Sequence, residues 1–242
     1  MLLHNSSFFR IYFGNAKDRL YPMWYQNLPK EQQLLSVPPF SGLTKIMRIN
    51  NLMFLNQVHG AKGYIIKESD FKEIVPFTLD GDYMITNVSL AGIGIMTADC
   101  LPIIFYDRLN TVAAIAHAGW RSSIAEIGVK TIQHMQQRFN TEVEQLRIFF
   151  GPSIKKCCYK VQKDFIQQLE HFEFAHHVLQ QKDDNYTFDL PSFNRLQLED
   201  LGVPKEAFCF EYNICTSCDN NFFSYRRDAN KAGRQMTIVS LK

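Results

Sequence analysis

The sequence predicts an α+β fold. Three observations carry that expectation: a dense succession of short β-branched or aromatic runs between residues 45 and 116, turn residues between those runs, and one long stretch of helical periodicity beginning near Ser123. Strands cluster and helices interrupt them, whereas a parallel doubly wound sheet would alternate the two regularly.

Each element follows from its own signal. The first forty residues mix aromatic with polar side chains through Trp24-Tyr25-Gln26 and reach a loop signal at Val37-Pro38-Pro39. Strand-like runs then cover 53–55, 63–66, 83–86, 91–96, 102–106 and 111–116, with Asp107 and Asn110 marking a turn. Their spacing predicts antiparallel neighbours rather than βαβ crossovers. Ser123 and Glu126 stand at capping-box spacing, and Ile124, Ile127, Thr131, Met135 and Phe139 then recur at helical intervals. Residues 146–150 read as a strand ending at Gly151-Pro152. Residues 162–169 and 191–201 read as helices, the second stopped by Gly202 and Pro204. Residues 208–210 and 236–239 read as strands around a short helix near Arg226.

Composition narrows the function. No Pro-, Gly- or Ser-rich linker divides the 242 residues, so one domain spanning 1–242 is expected. A hydrophobic fraction of 46% and a charged fraction of 21% exclude a disordered chain. The net charge is only +2 and Lys and Arg are scattered, which argues against nucleic acid as a partner. No apolar run approaches the about 18 residues a membrane span needs, and the N-terminus turns polar too soon for a secretory signal. A cytoplasmic, monomeric protein is the expectation. The six cysteines, at 100, 157, 158, 209, 215 and 218, fit reduced thiols in that compartment. Cys215 and Cys218 have C-x-x-C spacing, shared by zinc knuckles and redox motifs, but one such pair is a weak signal.

The chemistry concentrates in Thr97-Ala98-Asp99-Cys100-Leu101-Pro102, His117-Ala118-Gly119-Trp120-Arg121 and Asn56-Gln57-Val58-His59-Gly60. One thiolate and two imidazoles can hold a zinc ion and leave its fourth tetrahedral position for water or substrate. The interval from Cys100 to His117 matches no short zinc-finger spacing. On the residues alone, three readings stay open: a metal site, a Cys–His nucleophile pair, and a buried Cys beside a hydrogen-bonded core His. Asp99 suits either chemistry, as a base or as a partner that orients a ligand. His4, His134, His171, His176 and His177 lack comparable company.

These words, with Asp80-Gly81-Asp82, Gly151-Pro152-Ser153-Ile154, Cys157-Cys158-Tyr159 and Phe222-Phe223-Ser224-Tyr225-Arg226-Arg227-Asp228, resemble the YfiH-like family. That family has been labelled laccase-domain or polyphenol oxidase and is regarded as one of multifunctional purine nucleoside enzymes. Ser122 stands where its members usually carry Gly after the arginine of H-A-G-W-R. The resemblance implies two packed, mainly antiparallel β-sheets covered by helices in α/β/β/α layers, related to toxin-type cysteine hydrolases. It implies zinc on His59, Cys100 and His117. It further implies phosphorolysis of adenosine, inosine, guanosine and methylthioadenosine, with deamination of adenosine. Purine nucleosides and phosphate are then the expected partners. Asp99 or Asp82 is the candidate proton shuttle, and Arg121 the first candidate for phosphate, ahead of Arg48 and Arg226.

Three alternatives remain, one of them a non-enzymatic nucleoside-binding or interaction module, which would bind without turnover. Cys100 and His117 would serve a Cys–His hydrolase acting on an amide or a cell-wall precursor. A copper-dependent polyphenol oxidase is the third, with copper substituting for zinc in the same donors. A multicopper enzyme is rejected, because seven histidines with no H-x-H pair cannot hold several coppers.

Overall fold

The computed structural model describes residues 1–21, 34–182 and 185–242, so Trp24-Tyr25-Gln26 lies outside the described residues. Two large sheets are stacked face to face. The five-stranded sheet has the order β1 (Leu2–Asn5), β2 (Phe9–Phe13), β14 (Gln235–Leu241), β6 (Ala91–Thr97), β3 (Asn51–Phe54). The six-stranded sheet runs β13 (Phe208–Cys209), β9 (Leu146–Phe150), β7 (Leu101–Asp107), β8 (Val112–Ala118), β5 (Tyr83–Thr86), β4 (Gly63–Ile65). Both are open-edged, and neither closes into a barrel.

Burial on both faces explains why the central strands read as unbroken apolar runs. Ile104 and Tyr106 of β7, with Ala113 and Ile115 of β8, face Ile93 and Ile95 of β6 between the sheets. Their neighbours Ile103, Phe105, Ala114 and Ala116 point the other way, toward Ile127, Ile132 and Met135 of the helix Ile127–Phe139 and Phe193 and Leu198 of the helix Leu190–Asp200. The outer face of the five-stranded sheet buries Phe54, Met96 and Ile238 under Leu34, Phe40, Leu43 and Met47, residues of short helical turns. Gly94 of β6 lets the Phe54 ring lie against the strand, since a Cβ there would stand 2.7 Å from that ring.

The sheets are mixed. Central pairs such as β7–β8 and β14–β6 are antiparallel, as the spacing predicts, but β3–β6, β4–β5 and β13–β9 are parallel. All three parallel pairs lie at sheet edges, reached by connections long enough to cross over. Five strands escape the sequence reading altogether: β1 and β2 in the first forty residues, and β10 (Lys160–Val161), β11 (Leu179–Lys182) and β12 (Asn185–Phe188), a small separate sheet of order β10-β12-β11. The last three are short and half-exposed, and carry little periodic signal.

The capping box at Ser123 does not form. Helix begins three residues earlier, at Trp120, directly off the end of β8, and Ser123 is buried within it. Its hydroxyl accepts from Asn194 Nδ2 at 2.9 Å, and its carbonyl accepts from Gln197 Nε2 at 3.0 Å. Glu126, at φ 58°, breaks the path and restarts it as Ile127–Phe139 without a side-chain cap. The tertiary bond to Asn194 takes the serine that the local pattern would use. No helix among the described residues is long and apolar enough to cross a membrane.

Candidate active site

Three separate connections meet at one end of the stacked sheets. Cys100 lies in the turn by which the chain leaves β6 and enters β7, crossing from one sheet to the other. Asp99 makes that turn at φ 86°. His117 sits near the end of β8, opposite Pro102 of β7, and is buried. His59 lies beyond β3, exposed, at φ 59°. One donor atom from each of the three falls within 4.8 Å of the others.

Asp82 holds two of these elements together. Its fully buried carboxylate accepts from His117 Nδ1 at 2.8 Å, from the N–H of His59 at 3.0 Å and from that of Gly60 at 2.7 Å. Burial works against the charged carboxylate, but the His117 ring and the Gly60 and His59 N–H groups outweigh it and hold its pKa below the usual range. Since Nδ1 of His117 is engaged, Nε2 is the atom left for the site. Gln57 pins the same loop to β6: its amide donates to the Met96 carbonyl at 2.9 Å and accepts from the Met96 N–H at 2.7 Å. Gly119 leaves the space in which the donors gather. A Cβ there would stand 3.0 Å from Cys100 Sγ and 3.3 Å from the His59 ring.

The donor set fits a zinc ion: one sulfur, two ring nitrogens, and a carboxylate behind one ring to fix its tautomer. Burial opposes the Cys100 thiolate, yet the neighbouring His117 and His59 rings prevail and bring its pKa to about 6. Burial likewise opposes a charged His117, but the Cys100 thiolate and Asp82 raise its pKa to about 9. Without a cation, therefore, the Cys100 thiolate and a charged His117 favour one another. A metal must displace the imidazolium proton, so affinity is expected to rise with pH until His117 is neutral near its raised pKa. Calorimetric titration of zinc at pH 7.5 in buffers of different ionisation enthalpy should show release of about one proton per ion. Buffer-independent heats would contradict this arrangement.

The donors line a cavity of about 400 Å³, within the range of small-molecule sites. Thr97, Trp120, Arg121, Tyr159, Tyr225 and Arg226 form much of the rest of its wall. The Arg121 guanidinium lies 4.1 Å from the Trp120 ring centroid. That of Arg226 sits 5.0 Å from the Tyr159 ring and donates to the Lys160 carbonyl at 2.8 Å. Asp99 also lines the cavity; its carboxylate accepts from the Thr216 hydroxyl at 2.7 Å and the Arg226 N–H at 2.6 Å. Buried Thr97 Oγ1 has no partner among the described residues. Arg48 is not brought in: it ends the helix Leu43–Met47, away from the cavity.

Gln57, Thr97, Gly119 and Trp120 belong to the motif words, yet sequence reasoning assigned them no role. Tyr225, from the word Phe222 to Asp228, also lines the cavity, as does Arg234, which belongs to no motif word.

Residues 41–242 match the family model described as multi-copper polyphenol oxidoreductase laccase. The chain is a member of this family. A family relative named purine nucleoside phosphorylase, from Clostridium acetobutylicum, is 30% identical over 236 residues, covering 97% of this chain and 92% of its own. Another, named adenosine deaminase RL5 and from an unknown prokaryotic organism, is 29% identical over 202 residues, 80% of this chain and 76% of its own. The crystal structure of the Bacillus licheniformis hypothetical protein YfiH has a TM-score of 0.76 at 26% identity, covering 83% of this chain and 79% of that one.

Proposed function

We propose that this protein is a zinc-dependent purine nucleoside phosphorylase acting on adenosine, inosine, guanosine and methylthioadenosine, with adenosine deaminase activity. The observation that carries the reading is the convergence of His59, Cys100 and His117 in the wall of a cavity of nucleoside-binding size. The names of the relatives from Clostridium acetobutylicum and the unknown prokaryote support the two activities. Zinc, when bound, supplies Lewis-acid polarisation and lowers the pKa of water.

The chain's own residues divide the remaining work. Arg121 holds phosphate: it is exposed at the cavity, rests on Trp120 and carries no ion pair among the described residues. Arg226 is a weaker candidate, because its guanidinium is spent on the Cys158 and Lys160 carbonyls. Trp120 and Tyr159 offer aromatic surface to a purine, and Thr97 offers a hydroxyl for the nucleoside. Asp99, which lines the cavity, moves protons during deamination. Asp82 lies behind His117, out of reach of substrate, and positions that ring.

Purified protein is expected to convert inosine to hypoxanthine only when phosphate is present, and Arg121→Ala to raise the KM for phosphate about tenfold or more. Hydrolysis at the same rate without phosphate would sink the phosphorylase assignment.

One observation favours a second reading. The Cys100 thiolate, His117 and Asp82 also form the order of groups found in Cys–His nucleophilic enzymes. A thiolate committed to zinc is a poor nucleophile. Rapid alkylation of Cys100 in fully active, metal-free protein would select this hydrolase over the phosphorylase. Copper is a chemically acceptable substitute in the three-donor set, but the five other histidines join no metal-binding group among the described residues, which disfavours a multicopper oxidase.

A further inference from the structure

Beyond the cavity wall, a second group of soft donors comes together. The four thiols of Cys157, Cys158, Cys215 and Cys218 each place a sulfur within 4.8 Å of the others. The nearest separations are 3.5 Å for Cys157 to Cys215, 3.5 Å for Cys157 to Cys218 and 3.2 Å for Cys158 to Cys218. Four sulfurs about 2.3 Å from a tetrahedral ion would stand about 3.8 Å apart. The observed cluster needs only small side-chain adjustments to meet that figure.

The backbone brings these residues together independently of the thiols. Ser153 and Cys215 form a parallel bridge, with the Ser153 N–H donating to the Ile214 carbonyl at 3.0 Å and the Thr216 N–H to the Ser153 carbonyl at 3.1 Å. Asn213 Nδ2 donates to the Gly151 carbonyl at 2.6 Å, and Lys155 Nζ to the Asn213 carbonyl at 3.0 Å. Backbone N–H groups of Lys155 and Cys218 face the Cys215 sulfur. Backbone N–H groups aimed at the first sulfur of a C-x-x-C pair suit a metal-bound thiolate. All four cysteines are free, and Cys157 and Cys218 each face two sulfurs, so the arrangement selects no one disulfide pairing. A shared central cation satisfies all four at once.

We propose that Cys157, Cys158, Cys215 and Cys218 form a second, structural zinc site that closes one wall of the substrate cavity. All four coordination positions are protein sulfur, leaving none for substrate, unlike the His59, Cys100, His117 set. Its bearing on the cavity is direct. Thr216, between the last two cysteines, donates to the Asp99 carboxylate at 2.7 Å. Arg227 donates to the Thr216 carbonyl at 3.0 Å, and Arg226 to that of Cys158 at 3.4 Å. The ion would thus lock the segment around Ile154 and Tyr159 to the one that carries Tyr225 and Arg226. This site does not depend on the enzymatic assignment.

Native mass spectrometry of the full chain, purified under reducing conditions, tests the proposal. Wild type is expected to carry about two zinc ions, Cys100→Ala about one, and the Cys215→Ser, Cys218→Ser double variant about one. In Cys100→Ala, stripping the remaining ion with a chelator should lower the thermal midpoint and expose four further thiols to a colorimetric reagent. If the double variant does not fold, the wild-type and Cys100→Ala counts still decide. Cys100→Ala with no zinc overturns the second site, whereas one zinc in both wild type and Cys100→Ala would leave it standing and empty the first. A visible absorption band from bound iron overturns its assignment to zinc.

Discussion

Cys100→Ala is expected to abolish phosphorolysis and deamination together, lowering both rates by at least about a thousandfold. The thiolate is the one anionic donor of the three, and its removal leaves two neutral imidazoles to hold a dication. Loss of about 4 kcal/mol of transition-state stabilisation, a modest share of what a bound metal supplies, already corresponds to a thousandfold. The fold should survive. Cys100 is a turn residue, the central strands around it bury their own apolar cores, and the smaller side chain clashes with nothing. Assays of inosine with phosphate and of adenosine without it, on wild type and variant, give the answer. Unchanged rates for either reaction would separate that reaction from this site.

Asp82→Asn is expected to weaken zinc binding by about 10- to 100-fold while leaving all three donors in place. The carboxylate's charge favours the His117 Nδ1–H form, and its oxygens satisfy the N–H groups of His59 and Gly60. An amide retains one acceptor oxygen and brings an N–H₂ group into a space where every neighbour is a donor. Each buried N–H left without an acceptor costs about 1–3 kcal/mol, so the thermal midpoint should also fall. Excess zinc should restore turnover in Asp82→Asn but not in Cys100→Ala, a difference that separates a positioning residue from a ligand. Failure of high zinc to rescue would give Asp82 a direct part in the chemistry. The same carboxylate sets an acid limit. Its folded pKa lies below the unfolded value, so its stabilisation is fully present above about pH 4 and is lost as pH falls through the lower folded value.

Much of the site was legible because its residues lie in short, dense words. His59, Cys100 and His117 are named by their chemical type and by the turns and strand end that bear them. Asp82 was legible as a candidate proton shuttle, but not as the group that joins His117 to the His59 loop. That pairing spans 35 positions and depends on β5 lying beside β8 in register, which no local pattern encodes. Gln57 and Met96 present the same difficulty at 39 positions. The Ser123 capping box shows the converse: a correct local pattern lost to a buried partner on another helix.

By itself, the order of residues determined the α+β class, most of the central strands and the three soft donors. Those properties reside in side-chain type and in periods of two and 3.6, both readable over a few neighbours. Only the tertiary structure decided which edges run parallel, which carboxylate stands behind His117, and that Cys157 and Cys158 meet Cys215 and Cys218. These depend on sheet register and chain crossing, where the partners are tens of residues apart and the cost of bringing them together is met by burial elsewhere in the fold.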